Sequence, residues 1–227
     1  MTGHAVSLIL LDMTGVRNAD VEIENAIIAG WTGRDAAAVE KHIKELEALG
    51  VKRPATTPIF YRVAAARLTT DASIECLGRQ SSGEVEFVLL QSGGRLWVGT
   101  GSDHTDREVE AYGVSVSKQM CEKPIAREFW RFDDVAAHWD KLVLRSFATI
   151  DGARVLYQEG SVAAMRAPAD LIARYGGLTD GSLMFCGTHA VHGGIRPAER
   201  FDFELEDLVL GRKIAHGYDI VSLLNLG

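Results

Sequence analysis

Cysteine is scarce in this chain of 227 residues. Cys76, Cys121 and Cys186 show no CxxC spacing, so the sequence supports neither a disulfide framework nor a structural zinc site, and three reduced, partly buried thiols are expected. Basic residues are also outnumbered: 24 Lys and Arg stand against 31 Asp and Glu, a formal charge of -7. No basic stripe is present to replace phosphate counterions, so no nucleic-acid partner is expected. Long apolar runs are absent too. Ala5 to Leu11 and Phe87 to Leu90 fall far short of the ~20 residues that a membrane helix needs, and Met1 to Ala5 has no charged leader. A soluble, cytoplasmic protein without a membrane partner is the expectation. The chain also has no GxSxG around Ser81 and Ser82, and no Gly-Lys-Ser/Thr after its glycine-rich turns, which argues against a serine hydrolase and a P-loop. Trp31, Trp97, Trp130 and Trp139 are scattered and read as core or rim residues.

What is present is the make-up of an ordinary globular protein, 47% hydrophobic and 24% charged, with one main domain expected over residues 1–227. Asp35 to Leu49 has strong helix formers, with Val39, Ile43, Leu46 and Leu49 at helical spacing, Asp35 as N-cap and Gly50 as terminator. Strands are predicted at Ile59–Val63, Val85–Leu90, Arg95–Gly99, Arg154–Glu159, Leu183–Cys186, Phe201–Leu205 and Lys213–Ile220. Short helices are predicted at Val109–Lys118, Asp133–Lys141 and Ala167–Tyr175. The fold class is therefore α+β and β-rich, with a helical excursion near the N-terminus. Nothing is assigned before that helix.

The sharpest local feature is Glu84-Val-Glu86 in an apolar strand. Strand side chains alternate, so the two carboxylates share one face and Val85, Phe87 and Leu89 the other. Adjacent carboxylates repel, and a divalent cation relieves that repulsion. Taken alone, such a pair is more often a solvated surface. Asp103, after the glycines of Gly99-Thr-Gly101, offers a third carboxylate where the backbone is expected to turn tightly. His104 has no partner His or Cys at zinc spacing and is read as structural.

In order and spacing these elements resemble the fumarylacetoacetate hydrolase superfamily, which carries ExE followed by Asp-x-Ser/Thr-x-Arg-Asp, here Glu84-Val-Glu86 and Asp103-His-Thr105-Asp-Arg107-Glu108. Three more segments match in order. The His-x-x-Glu motif is His42-Ile-Lys-Glu45, followed by Pro58-Ile-Phe60-Tyr-Arg62; the family lysine is Lys118; and the Gly-Thr-Pro turn is echoed by Gly187-Thr188-His189. The resemblance spans roughly residues 27 to 220. It departs at Glu110, where familiar members often have Gln, at the shorter segment between Asp103 and Lys118, and at His189 in place of proline.

The resemblance implies a mixed β-roll or barrel with an N-terminal lid helix, a lid and β region over about 1–70, a metal-binding core over about 71–227, and a homodimer. It implies Mg²⁺ or Mn²⁺ on Glu84, Glu86 and Asp103, and His42 oriented by Glu45 as the base, with Lys118 completing the catalytic set. Arg62, Arg107, Gly187 and Thr188 would bind a small oxo-acid or acylpyruvate-like substrate. The implied reaction is hydrolysis of a C–C or related bond next to a carbonyl, through a metal-stabilised enolate. A decarboxylase, isomerase or dehydratase on the same centre is the alternative, and a non-catalytic metal-binding protein the second.

Overall fold

The computed structural model describes residues 3–48 and 53–226; inside the first helix, the side chains of His42, Glu45, Leu46 and Ala48 lie outside that description. Two sheets carry the fold. The larger has eight strands in the order Gly15–Ile23, His4–Asp12, Glu128–Arg131, Arg95–Ser102, Val85–Ser92, Ser182–Phe185, Asn25–Gly30 and Ile59–Val63. Its pairings are antiparallel except His4–Asp12 with Glu128–Arg131 and Ser182–Phe185 with Asn25–Gly30, so the roll is mixed, as expected. The smaller sheet runs Ala153–Ser161, Leu142–Ile150, Arg200–Asp207, Arg212–Leu223 and Ser73–Leu77.

The larger sheet is curled, and its buried side chains show why. Leu8 and Val21 from one edge belong to the same apolar cluster as Ile28 and Val63 from the other, so the two ends bend toward each other around a shared core with Val88, Leu90, Phe129 and Phe185. The opposite face, with Val85, Phe87, Leu89, Val98 and Met184, packs on Leu142, Leu144, Phe201, Phe203 and Tyr218 of the smaller sheet. Burial of apolar area on both faces at roughly 25 cal/mol per Å² makes the middle strands the rigid part of the molecule.

Several expected elements are present with shifted ends. The first helix is Ala36–Ala48, and Asp35 Oδ1 caps it by accepting from Ala37 N at 2.9 Å and Ala38 N at 3.1 Å; Leu49 and Gly50 lie outside the described residues. The hairpin of Val85–Ser92 and Arg95–Ser102 closes on Gly93 and Gly94, both left-handed, as a two-residue turn requires. The single helix predicted over Val109–Lys118 is instead two, Arg107–Tyr112 and Val114–Met120. Gly113 separates them in an extended conformation and starts the second by accepting from Ser117 N at 3.0 Å.

The two sheets contain six strands that the sequence pattern does not announce: three within residues 4 to 30, and Ser73–Leu77, Glu128–Arg131 and Leu142–Ile150. Gly99 and Gly101 lie inside a strand rather than in a tight turn. A Cβ there would come within 2.7 Å of the rings of Phe129 and Phe185 respectively, so the glycines make room for the aromatic floor of the roll. No helix among the described residues is long and apolar enough to cross a membrane.

Candidate metal centre

Register places the acidic residues at one end of the central strands. Leu90 pairs with Leu183, Val88 with Phe185, and Glu86 lies next toward the N-terminal end of its strand. The wall that begins as hydrocarbon thus ends in carboxylates: Glu86 on the strand and Glu84 just before it. Asp103 follows the neighbouring strand and is tied back by Asp103 N donating to Glu84 O at 3.0 Å. Glu84, Glu86 and Asp103 each bring one oxygen within 4.8 Å of the other two. Octahedral Mg²⁺ holds its oxygens at about 2.1 Å, hence about 3 to 4.2 Å from one another, and small side-chain rotations would close this set on such an ion. The hard oxygen donors suit Mg²⁺ or Mn²⁺ over softer metals.

The electrostatics separate the three acids. Glu86 is buried, and burial together with the charges of Asp103 and Glu84 raises its carboxyl well above the usual range, although Gly187 N donates to Oε2 at 2.6 Å. Asp103 is also buried, but Lys118 and Lys123 outweigh burial and hold it at about 2. Lys118 donates to Oδ2 and Lys123 lies 3.2 Å from Oδ1. Glu84 is partly exposed and pairs with Arg107, whose Nη2 lies 3.1 Å from Oε1, off the hydrogen-bond direction.

Two of the three nitrogens of Arg107 are hydrogen-bonded within the protein. Its Nε donates to Ser82 Oγ at 2.7 Å and its Nη1 to Glu110 Oε2 at 2.9 Å, and Glu84 and Glu110 raise its pKa against the effect of burial. Glu110 is thus a second counterion of Arg107, beside Glu84. His189 packs its ring where a side chain on Gly160 would stand.

Gly187 and Thr188 reach the site but spend their polar groups on its frame. Thr188 Oγ1 donates to Val85 O at 2.6 Å and accepts from Gln158 Nε2 at 2.7 Å, while Gln158 Oε1 accepts from Val85 N at 3.0 Å. Gln158 is a fully buried clamp on the strand that carries Glu86, and no local motif in the sequence marks it. His104 is structural as expected, with its ring nitrogens 2.9 Å from Tyr218 OH and from Ser81 Oγ.

Arg62 is not brought to the cluster. It pairs in register with Ile27, on the face of Met184 and Leu89, and donates to Asn25 Oδ1 at 2.6 Å. Tyr61 faces the other way, on the side of Phe185 and Val88, where Lys118, Glu110 and Asp103 act on its half-buried phenol. The aromatic neighbour, not the arginine, shares the face of Glu86. His42 and Glu45 are on the first helix, but their side chains lie outside the described residues.

The fold places this chain among proteins with the fumarylacetoacetate hydrolase fold. It superposes on a yeast fumarylacetoacetate hydrolase family protein, ynq8, with a TM-score of 0.62 at 17% identity, covering 88% of this chain and 94% of that one. Similar agreement is found with 2-keto-3-deoxy-D-arabinonate dehydratase complexed with magnesium and 2,5-dioxopentanoate (TM-score 0.62, 14% identity, 94% and 78% covered). Inhibitor-bound Cg1458 agrees as well (TM-score 0.63, 14% identity, 93% and 82% covered). By sequence, the chain belongs to the family described as Protein of unknown function (DUF2848), whose model matches residues 29–218. No curated protein matches its sequence.

Proposed function

We propose that this protein is a Mg²⁺- or Mn²⁺-dependent enzyme acting on a small oxo-acid, and that its reaction is hydrolysis of a bond next to a carbonyl. The convergence of Glu84, Glu86 and Asp103 at one end of the central strands carries this reading. Charge supports the substrate class. Four carboxylates, Glu84, Glu86, Asp103 and Glu110, stand against three cations, Arg107, Lys118 and Lys123. Fully ionised, the cluster carries one negative charge; a divalent ion would reverse the sign, and an anionic ligand would balance it.

When bound, the ion would supply Lewis-acid polarisation of chelated substrate oxygens. Lys118, buried against Asp103 Oδ2, would neutralise the substrate carboxylate or a developing negative oxygen. Arg107 holds Glu84 in place, and Tyr61 lines the same side. Gly187 and Thr188 serve by fixing Glu86 and the strand beneath it. His42, oriented by Glu45, is proposed to take a proton from the attacking water onto its imidazole. The assembly proposed with this reading is a homodimer, which sedimentation would read as twice the chain mass.

A second reading is a lyase, favoured by the likeness to a magnesium-bound 2-keto-3-deoxy-D-arabinonate dehydratase. The first experiment is Mn²⁺ titration of the native protein beside Glu84→Gln and Glu86→Gln. Each substitution should weaken binding by at least about 100-fold, since it removes a charged ligand; unchanged affinity would sink the site. A screen of acylpyruvates, 3-oxo acids and sugar-derived 2-oxo acids then decides the bond. Hydrolysis lost in His42→Ala supports the hydrolase, dehydration or decarboxylation that survives it supports the lyase, and metal binding without any turnover supports a non-catalytic role.

A further inference from the structure

Asp103 carries two buried lysines, one on each carboxylate oxygen, and they come from different kinds of element. Lys123 is fully buried on the short strand Lys123–Pro124, which pairs with Leu68–Thr69 on one side. On the other side the chain is fastened by the Gly101–Ile125 bridge and by Ala126 N donating to Thr100 O at 2.9 Å. Its ammonium lies against Asp103 Oδ1 and donates to the His104 carbonyl, and the His104 ring is itself held at both nitrogens. Thr105 Oγ1 also faces Oδ1, at 3.4 Å. This side of the carboxylate is enclosed by fixed groups.

Lys118 sits on the outer helix Val114–Met120, whose Val116 and Met120 are exposed, and it donates to the other oxygen, Oδ2. Its charge acts on all three acids of the candidate centre, Asp103, Glu84 and Glu86. A cation at that place does what a metal ion would do: it offsets the mutual repulsion of converging carboxylates. The helix starts after the extended Gly113 and ends at the extended Cys121, and Lys118 is its one charged side chain on Asp103.

We infer that the two lysines divide the work on Asp103: Lys123 is a permanent positioning residue, and Lys118 is a tethered cation that neutralises the three carboxylates until a divalent metal displaces it from Oδ2. The displaced ammonium is then the group available to an anionic ligand. This rests on the metal-centre reading above. It makes Lys118 a competitor of the metal and a partner of the ligand, whereas Lys123 supports both.

Calorimetric Mn²⁺ titration separates the roles without any assay of turnover. Lys118→Met should bind Mn²⁺ about tenfold more tightly than the native protein, because an opposing charge is removed from the site. The same variant, loaded with Mn²⁺, should bind oxalate about tenfold more weakly. Lys123→Met should weaken Mn²⁺ binding, and Lys123→Arg, which keeps the charge, should recover part of it if the protein folds. Lys118→Met binding Mn²⁺ with unchanged or lower affinity overturns the inference, whatever the Lys123 variants do. Absence of Mn²⁺ binding to the native protein overturns the metal centre itself, and the lysine roles with it.

Discussion

The two faces of the strand Val85–Ser92 have opposite fates. On one, Val85, Phe87 and Leu89 belong to the apolar cluster between the two sheets. On the other, Leu90 and Val88 line the interior of the roll, and then the residue type changes to Glu86 and Glu84. Both faces are buried over most of the strand. What differs is the kind of burial. The first face stabilises the fold by excluding water; the second places like charges where desolvation costs free energy, which the rigidity of the first makes tolerable. A site held this way is positioned before any ligand arrives.

Substitution on the two faces should therefore have opposite signs in the metal-free protein. Phe87→Ala removes a fully buried ring that packs edge-on to Trp139 at 5.0 Å, and should cost about 3–5 kcal/mol in chemical denaturation. The affinity of the folded fraction for Mn²⁺ should stay near the native value. Glu86→Gln should leave stability unchanged or raise it, because the amide cannot acquire the buried charge that burial, Asp103 and Glu84 disfavour. A Glu86→Gln protein as unstable as Phe87→Ala would show that the two faces are not separable.

A smaller effect is expected where the faces are joined. Gly187 has φ 100, and a Cβ there would fall 1.8 Å from Thr32 Oγ1. Gly187→Ala should cost about 2–3 kcal/mol from backbone strain and the displaced neighbour together. It should also weaken Mn²⁺ binding, since the Gly187 amide is what fixes Glu86 Oε2. Thr32→Ala added to Gly187→Ala should recover the part due to the clash and none due to φ. Full recovery would mean that the left-handed backbone is not needed.

The same contrast explains what could be read in advance. Strands with one apolar face, such as Phe201, Phe203 and Leu205 between acidic residues, announce themselves by alternation. His4–Asp12 does not, because its run of apolar residues carries no alternation, and Gly15–Ile23 is polar and partly exposed at the sheet edge. Leu142–Ile150 turns Ser146 and Ala148 inward, which breaks the apolar pattern. In the site, Glu84, Glu86 and Asp103 were legible as an ordered motif. Lys123 was not, because a lysine is ordinarily a surface residue and only the pairing of its strand on both sides buries it. Gln158 owes its role to long-range contacts with Thr188 and Val85, 30 and 73 residues away. Tyr61 and Arg62 are adjacent, so only register tells which one faces the acids.

The smallest effect sharpens the comparison within the acidic face itself, because its two buried carboxyls respond to pH in opposite directions. Asp103 is held at about 2 against an ordinary 3.8, so its contribution is present above pH 4 and is lost as the pH falls from there toward 2. That contribution is roughly 2 kcal/mol, from a shift of nearly two pH units. Glu86 is raised above its ordinary 4.5, so the folded state holds its proton more tightly than the unfolded chain. Its contribution is complete below pH 4.5 and is lost as the pH climbs through the folded value. Metal-free protein should thus be most stable in mildly acidic solution, between the two losses. Mn²⁺ must displace the Glu86 proton, so the metal should stabilise the protein more as pH rises and move the optimum toward neutrality. Unfolding curves at pH 3, 5 and 8, with and without Mn²⁺, read both limbs. The acid limb should weaken in Lys118→Met, where Asp103 has lost one of its two cations, and the alkaline limb should vanish in Glu86→Gln. An alkaline limb that persists in Glu86→Gln would assign it to another group.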